Sequence, residues 1–294
     1  MTSEDVTLIA VSYFGADDAF ALLESLLAQD EKKWTLLIVD NTDDSTQRAR
    51  LDELRAVDSR VDVMRAPGNL GYLGGAAWAL EQRPPAGDAA VLNTDLVLMG
   101  PGALRQLAQA ARAGSDIGMI APSVISERSG RDQNPHLAAP PSVRISVLRA
   151  LSMSTPLLAQ STIYASTLLS RKSEARRVPD KAESRAEIYA PHGSFLYFTA
   201  EYLRRGGSLR HPLFLFAEEV FVAEECLNAG LKVLFEPSIK ILHREHANTG
   251  VRRPRLLLKA SGRATRYVLS TAWTRRRRMR ATQQQIQRIG GISS

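Results

Sequence analysis

The chain has 294 residues, a net charge of +7 and one cysteine, Cys226. A single cysteine excludes an intrachain disulfide and a cysteine-rich zinc site, and it fits a reducing compartment. The first five residues carry acids and lead straight into a predicted strand, so we expect no signal peptide. No apolar run approaches the ~20 residues that a membrane-spanning helix needs.

Positive charge is concentrated at the end of the chain. Residues 246–294 contain twelve Arg or Lys residues and no acid, although the whole chain is only +7, so the rest is mildly acidic. This asymmetry predicts a main domain over residues 1–250 and a basic helical tail over residues 251–294.

The first part of the chain alternates short apolar runs with helical segments. The predicted strands are residues 7–13, 34–39, 61–64, 89–92 and 117–121. The predicted helices run from Asp17 or Asp18 to about 29, from about 46 to 57, from 76 to 81 and from 102 to 113. This alternation predicts an α/β fold with a mostly parallel central sheet that helices flank.

The alternation breaks down over residues 127–187, which five prolines interrupt. We interpret this segment as a helical insertion, either a mobile lid or an interfacial element. Regular structure resumes with predicted strands at 188–190, 193–198, 232–235 and 239–243, and with predicted helices at 200–205 and up to Gly230.

Polar side chains lie at the ends of three of the predicted strands, namely Ser12, Asp40 with Asn41, and Asn93 to Asp95. Because the carboxyl ends of parallel strands meet at one edge, where such sheets bind ligands, we expect these residues to share one ligand. The glycines after the third strand lack the G-x-G pair of dinucleotide-binding enzymes, and no P-loop motif is present, so both of those classes are excluded.

Six motifs occur together in a characteristic order. They are Val39-Asp-Asn41, Asn69-Leu-Gly-Tyr72, Leu92-Asn-Thr-Asp95, Gly193-Ser-Phe195, Phe216-Ala-Glu-Glu219 and His243. In this order the chain resembles family 2 glycosyltransferases, which are inverting enzymes of the GT-A fold, and it is most similar to their bacterial rhamnosyltransferase-like branch. The resemblance covers about residues 6–250 and implies a GT-A-like sheet.

The resemblance also implies a donor site. Asp40 and Asn41 would hold the base and ribose of a nucleotide, and a carboxylate that accepts from a pyrimidine N3–H favours dTDP or UDP. The remaining donor-site residues would be Ser12, Asn69, Gly71, Tyr72, Asn93 and Asp95. An ordinary capping turn at Asp40 and a plain strand-to-helix turn at Gly71 are the structural alternatives.

By the same resemblance, Asp95 would hold Mn²⁺ or Mg²⁺ against the diphosphate, and His243 would help to hold the metal. Glu219 would be the base that deprotonates the acceptor, with Glu218 beside it. Both glutamates would also suit a helix N-terminus without any catalytic role.

The acceptor side would be lined by His192, Gly193, Ser194 and Phe195. The alternative for this segment is an ordinary strand after a turn.

In the tail, residues 252–288 interleave cations with apolar residues, which is typical of a helix on an anionic membrane surface. Nucleic acid is the rival partner, which we do not expect, and a solvated helix packed on the main domain is the third interpretation. We therefore expect a cytoplasmic protein that lies peripherally on the inner face of the cytoplasmic membrane.

The predicted function is transfer of a sugar, with inversion, from a nucleoside diphosphate to a glycan or lipid-linked glycan in cell-surface polysaccharide and cell-wall synthesis. The best specific donor is dTDP-rhamnose. A nucleotidyltransferase and a non-catalytic nucleotide- or sugar-binding relative remain as alternatives.

Overall fold

The computed structural model describes residues 5–155, 157–162, 164, 184–245 and 255–290, with side chains of the last helix described for residues 256–278. Residues 165–183 of the predicted insertion, and residues 251–254 at the start of the basic tail, therefore lie outside the described residues. The chain forms two compact units. The first comprises Met1–Ala139, Val178–Phe214 and Glu218–Asn248, and the second comprises Pro140–Arg177, Leu215–Ala217 and Thr249–Ser294.

The first unit is built on a sheet of nine strands. These are β1 (Val6–Ser12), β2 (Trp34–Asp40), β3 (Val61–Arg65), β4 (Ala89–Asn93), β5 (Leu96–Leu98), β6 (Ile117–Ser126), β7 (Ala186–Ile188), β8 (Phe195–Phe198) and β9 (Lys232–His243).

In the part of the chain that the structure describes, we label six helices in the first unit and two in the second. The first six are α1 (Ala16–Leu27), α2 (Ser45–Val57), α3 (Tyr72–Gln82), α4 (Ala103–Ala111), α6 (Ala200–Arg204) and α7 (Glu218–Asn228). Those of the second unit are α5 (Val143–Ser152) and α8 (Arg255–Gly290).

The sheet is mixed. Its order is β3-β2-β1-β4-β8-β6-β9-β5, and β7 pairs with β9 outside this path. Strands β1 to β4 pair in parallel, whereas β8 joins β4 and β6 antiparallel, and β5 and β7 join β9 antiparallel. The predicted α/β class is thus confirmed, with a parallel half that matches the predicted βαβ units.

The parallel half forms because its strands can be buried on both faces. Strand β1 is buried at six of its seven positions, and β4 at four of five. Helix α1 covers one face with Leu22 and Leu26, which are fully buried and one turn apart. Truncating such a leucine to alanine typically costs about 2–5 kcal/mol, so this layer stabilises the strand ends that carry the site.

Several predicted boundaries were wrong. Helix α1 is capped by Gly15 and not by Asp17 or Asp18, which lie in its first turn. Helix α3 begins at Tyr72, one turn before the predicted start, because the turn at Gly71 already reverses the chain.

The two last predicted strands are one strand, β9, whose pairing with β6 shifts register between Pro122 and Ser123. Strand β5 has only three residues, too few for a periodic pattern, so hydrophobic periodicity does not predict it.

In the second unit, α5 and α8 pack together. A side-chain carbon on Gly262 of α8 would lie 2.7 Å from the carbonyl oxygen of Met153, so the glycine permits a close approach of the two segments. Farther along α8, Arg275 Nη2 donates to the carbonyl of Pro141 over 3.0 Å. Helices α5 and α8 lie within the segments that were predicted as a helical insertion and a helical tail. None of the described helices is both long and apolar enough to cross a membrane.

Candidate active site

The ends of β1, β2 and β4 lie side by side, as the sequence predicts. Ser12 is in register with Asp40, and Val11 with Asn93. The N–H of Asn41 donates to the carbonyl of Ser12 over 3.0 Å. The Ser12 hydroxyl is buried and has no hydrogen-bond partner among the described residues. A buried hydroxyl of this kind is available to a ligand.

Asp40 is buried and organises the loop that follows it. Its Oδ1 accepts from the N–H of Thr42 over 2.9 Å and from the Thr42 hydroxyl over 2.5 Å. Its Oδ2 lies 3.7 Å from Nε of Arg48, a neighbour that the sequence did not indicate. The capping turn that we considered as the alternative therefore exists, and it uses only one of the two carboxylate oxygens for hydrogen bonds to Thr42.

Asn41 ties the glycine-rich segment to the end of β2. Its side-chain amide donates to the carbonyl of Gly71 over 2.9 Å, while Asn69 Oδ1 accepts from the N–H of Gly71 over 3.0 Å. The backbone of Gly71 has a φ of +76°, which only glycine adopts without strain. A side chain at Gly71 would also overlap the carbonyl oxygen of Phe214.

This arrangement predicts an effect on stability. Gly71→Ala should lower the free energy of unfolding by about 1–3 kcal/mol, because alanine is strained at this φ and the clash is with backbone that cannot rotate away. Gly68→Ala is the matched control, since nothing lies within 4 Å of a side chain there. Urea unfolding of both variants measures the difference, and equal midpoints would contradict the packing of Gly71 against Phe214.

Asp95 and His243 face each other at the far side of the same edge. Strands β5 and β9 pair Leu96 with His243, and the N–H of Arg244 donates to the carbonyl of Asp95 over 3.0 Å. This pairing places Nε2 of His243 3.5 Å from Oδ1 of Asp95, with both side chains largely buried.

The Asp95–His243 pair fits a divalent cation. Two ligand atoms that each lie about 2.1 Å from one ion, at near-octahedral angles, are about 3 Å apart, close to the observed separation. Among the residues that the structure describes, no cluster of three or more His, Cys, Asp or Glu side chains has the geometry to hold a metal. The described part of the chain therefore offers two ligand groups here, and the rest of a coordination shell would come from a bound ligand or water.

Tyr72 lies within electrostatic range of three of the candidate carboxylates. Its hydroxyl donates to the carbonyl of Ser194 over 3.4 Å. Burial raises the pKa of the Tyr72 phenol well above its usual value, and the nearby carboxylates of Glu218, Glu219 and Asp95 raise it further. The carboxylates predicted for the metal and the base thus act together on one partly buried phenol, which stays protonated and can donate.

Glu218 and Glu219 open helix α7, and Glu218 is buried. A side-chain carbon on Gly193 would lie only 2.6 Å from Oε1 of Glu219, so the carboxylate rests directly on the Gly193 backbone. The structure therefore brings the predicted base against the predicted acceptor segment. A β-carbon at Gly193 would displace that carboxylate.

The other acceptor-side residues divide into two groups. His192 is held by hydrogen bonds from its backbone N–H to Asn134 Oδ1 over 2.7 Å and between its Nδ1 and the Ser194 hydroxyl over 2.8 Å. Its ring centroid lies 5.8 Å from that of His243. Phe195, in contrast, is completely buried in the core beneath the site, and the structure does not bring it to the surface where an acceptor would lie.

Sequence reasoning missed an aromatic pair beside the site. Tyr13 and Phe14 follow β1 directly, are 60% and 58% exposed, and have ring centroids 5.0 Å apart. Phe14 adopts a φ of 59°, an unfavourable conformation for a non-glycine residue. Exposed aromatic faces next to the unpartnered Ser12 hydroxyl can stack on a flat ligand.

No protein-family model and no curated protein matches the chain. Among solved structures, it is similar to the crystal structure of GalNAc-T7 with UDP, GalNAc and Mn²⁺, with a TM-score of 0.56 and 12% identity over 83% of this chain and 44% of that one. The chain has a GT-A-like fold. It is also similar to the mannosyltransferase PcManGT from Pyrobaculum calidifontis in complex with GDP-Man and Mn²⁺, with a TM-score of 0.53 and 14% identity over 93% of this chain and 74% of that one.

These similarities establish the GT-A-like fold. The reaction is inferred from the residues of the site and not from the similarity. The chain spans less than half of the GalNAc-T7 chain that it matches. Within the GT-A-like sheet, the site described above occupies the carboxyl edge of β1, β2 and β4, where open α/β sheets bind their ligands.

Proposed function

We propose that the protein is an inverting glycosyltransferase that moves a sugar from a nucleoside diphosphate to a glycan or lipid-linked glycan acceptor. The observation that carries this proposal is that the carboxylates of Glu218, Glu219 and Asp95 all lie near enough to the Tyr72 phenol to raise its pKa, with His243 beside Asp95. Support comes from the GT-A-like fold, since both similar structures contain a nucleotide and Mn²⁺.

In this proposal the nucleotide lies across β1 and β2. The free Ser12 hydroxyl and the second oxygen of Asp40 bind the base and ribose, together with Asn41. A carboxylate oxygen of Asp40 can accept a hydrogen bond from the N3–H of uracil or thymine, which favours UDP or dTDP. Our specific proposal for the donor is dTDP-rhamnose.

The diphosphate lies between the two ends of the site. The turn that Asn69 and Gly71 form precedes the N-terminus of α3, which favours negative charge, and Asn93 and Tyr72 flank it. Asp95 and His243 would hold Mn²⁺ or Mg²⁺, and the imidazole ligand favours Mn²⁺. When bound, such an ion neutralises negative charge on the leaving diphosphate.

Glu219 carries the proton transfer. As the acceptor oxygen forms its bond to the anomeric carbon, Glu219 takes the proton of that hydroxyl, and the bond to the nucleoside diphosphate breaks on the opposite face. Glu218 supports the helix start, while His192 and Ser194 orient the acceptor. In each turnover Glu219 takes one proton and then releases it to solvent, and one nucleoside diphosphate leaves.

A panel of sugar nucleotides tests the proposal. With Mn²⁺ and a glycan acceptor, release of nucleoside diphosphate from one member of the panel is the expected result. Formation of pyrophosphate from a nucleoside triphosphate and a sugar phosphate would instead identify a nucleotidyltransferase. Tight nucleotide binding without turnover of any donor would identify a non-catalytic relative.

We also propose that the second unit contacts an anionic membrane, at the inner face of the cytoplasmic membrane. Its described residues contain no acid. Helix α5 exposes Ile145, Leu148 and Leu151 at a spacing of three residues, and α8 exposes Trp273 near a run of arginines. Exposed apolar side chains among cations suit the headgroup region of an anionic bilayer better than the phosphates of nucleic acid.

Vesicle binding should separate these contributions. Leu148→Gln with Leu151→Gln should weaken co-sedimentation with vesicles of phosphatidylcholine and phosphatidylglycerol, because their apolar area no longer enters the bilayer. Val57→Gln with Leu227→Gln is the matched control, since both residues are similarly exposed on the first unit. Equal co-sedimentation of native protein and the Leu148/Leu151 variant would contradict a role for α5.

A further inference from the structure

We infer that Gln133 and Glu245 are positioning residues that fix the tautomer of His243, so that its Nε2 presents a lone pair to a cation beside Asp95. This inference rests on the proposed metal site and extends it to two residues with no role in the proposed function. Gln133 lies in the segment that sequence reasoning assigned to an insertion, and Glu245 follows the last strand.

The orientation of the Gln133 amide follows from its two partners. Its Nε2 donates to Oε1 of Glu245 over 3.2 Å, and its Oε1 lies 2.7 Å from Nδ1 of His243. A carboxylate only accepts, so the amide nitrogen must face Glu245 and the amide oxygen must face the ring. Nδ1 of His243 therefore carries a hydrogen and donates it to Gln133.

This choice of tautomer leaves the other ring nitrogen as the acceptor. Nε2 of His243 lies 3.5 Å from Oδ1 of Asp95, so in the neutral ring a lone pair faces a carboxylate oxygen. Two such groups repel unless a proton or a cation lies between them. A hydrogen bond from the distal N–H of a ligating histidine orients the ring and strengthens its donor atom.

Both positioning residues are themselves held in place. The N–H of Gln133 donates to the carbonyl of Val124 over 2.7 Å, which fixes it beside β6. The other carboxylate oxygen of Glu245 accepts from the hydroxyl of Ser126, the residue in register with His243 on β6. Glu245 adopts a φ of 56°, a conformation that non-glycine residues rarely take. Such strain persists where surrounding contacts enforce it.

His192, whose ring lies beside that of His243, has the opposite tautomer. Nδ1 of His192 lies 3.3 Å from the N–H of Ser194, which donates to it, and 2.8 Å from the Ser194 hydroxyl. Because Nδ1 is the acceptor there, the neutral ring carries its hydrogen on Nε2 and is a donor, not a cation ligand. The described contacts thus indicate that His243, and not His192, is the ring that can bind a cation through Nε2.

An exchange of the two positioning side chains tests the inference. Mn²⁺ affinity is measured by electron paramagnetic resonance in the presence of UDP. Gln133→Leu should weaken Mn²⁺ binding by about 10–100-fold, the usual effect of losing such an outer partner. Gln133→Glu combined with Glu245→Gln should keep native or stronger affinity. In that variant a carboxylate still accepts from Nδ1 and an amide still donates to it, with the net charge unchanged.

Two further measurements complete the test. Gln82→Leu, an exposed change on α3, is the control and should bind Mn²⁺ as the native protein does. Circular dichroism melting confirms that each variant is folded before its affinity is compared.

The outcomes separate this inference from the proposed function. If His243→Ala loses Mn²⁺ affinity but Gln133→Leu does not, the metal site stands and the positioning role is overturned. An exchange variant as weak as Gln133→Leu also overturns it. If the native protein binds no Mn²⁺ with UDP, the proposed metal site itself fails.

Discussion

Glu219→Gln is expected to reduce turnover by roughly 10²–10⁴-fold while leaving the affinity for the donor nucleotide nearly unchanged, the usual signature of a lost general base. A base acts on the acceptor hydroxyl, and the Glu219 carboxylate rests against Gly193 on the acceptor side. Glutamine preserves the size of the side chain and its place at the helix start, so a loss of activity would not reflect misfolding.

The measurement is a single-turnover rate at saturating donor, with donor affinity determined separately by calorimetry. Glu218→Gln is the neighbouring control, and it should cost less because Glu218 is buried at the start of α7 and does not face the acceptor segment in our proposal. A normal rate for Glu219→Gln would remove it as the base. A selective loss in Glu218→Gln would assign that role to Glu218.

Asp95→Ala is expected to remove the part of nucleotide affinity that depends on metal. The carboxylate is one of the two protein groups placed to hold the cation, and the remaining His243 would offer a single neutral ligand atom. The fold should survive, because the hydrogen bond from Arg244 reaches the backbone carbonyl of Asp95 and not its side chain.

Calorimetry of UDP binding with and without Mn²⁺ measures this effect. The native protein should gain affinity when Mn²⁺ is added, whereas Asp95→Ala should bind equally weakly in both conditions. Asp116→Ala is the control, since it removes a carboxylate that pairs with Lys232 at a different place on the first unit. A variant at Asp95 that still responds fully to Mn²⁺ would show that the cation binds elsewhere.

Much of the donor side of the site could be predicted from local sequence, because it depends on where strands end. The length of each apolar run determines where β1, β2 and β4 end. Ser12, Asp40 and Asn93 are the last residues of these parallel strands and therefore lie at one edge of the sheet. The start of α3 was misplaced because the turn depends on a single backbone angle at Gly71, which periodicity does not report.

The metal side could not be derived from local pattern. The approach of Asp95 to His243 depends on the pairing of the three-residue β5 with β9, which joins segments almost 150 residues apart in the chain. Gln133 was hidden for a related reason. It lies between prolines in a stretch without regular periodicity, and only its contacts with His243 and Glu245 reveal its place.

The family resemblance supplied candidate residues but not their burial. It grouped Phe195 with Gly193 and Ser194, whereas the structure buries Phe195 completely in the core at the start of β8. A motif describes an order of residues, and the direction of each side chain is set by the packing of strands on either side.

The most direct test of the central claim is an anomalous-diffraction map from crystals of the protein soaked in Mn²⁺ and UDP. We expect one manganese peak between Oδ1 of Asp95 and Nε2 of His243, with the diphosphate of UDP completing its ligands. A manganese peak away from both side chains, or UDP bound away from the edge that Ser12 and Asp40 form, would contradict it.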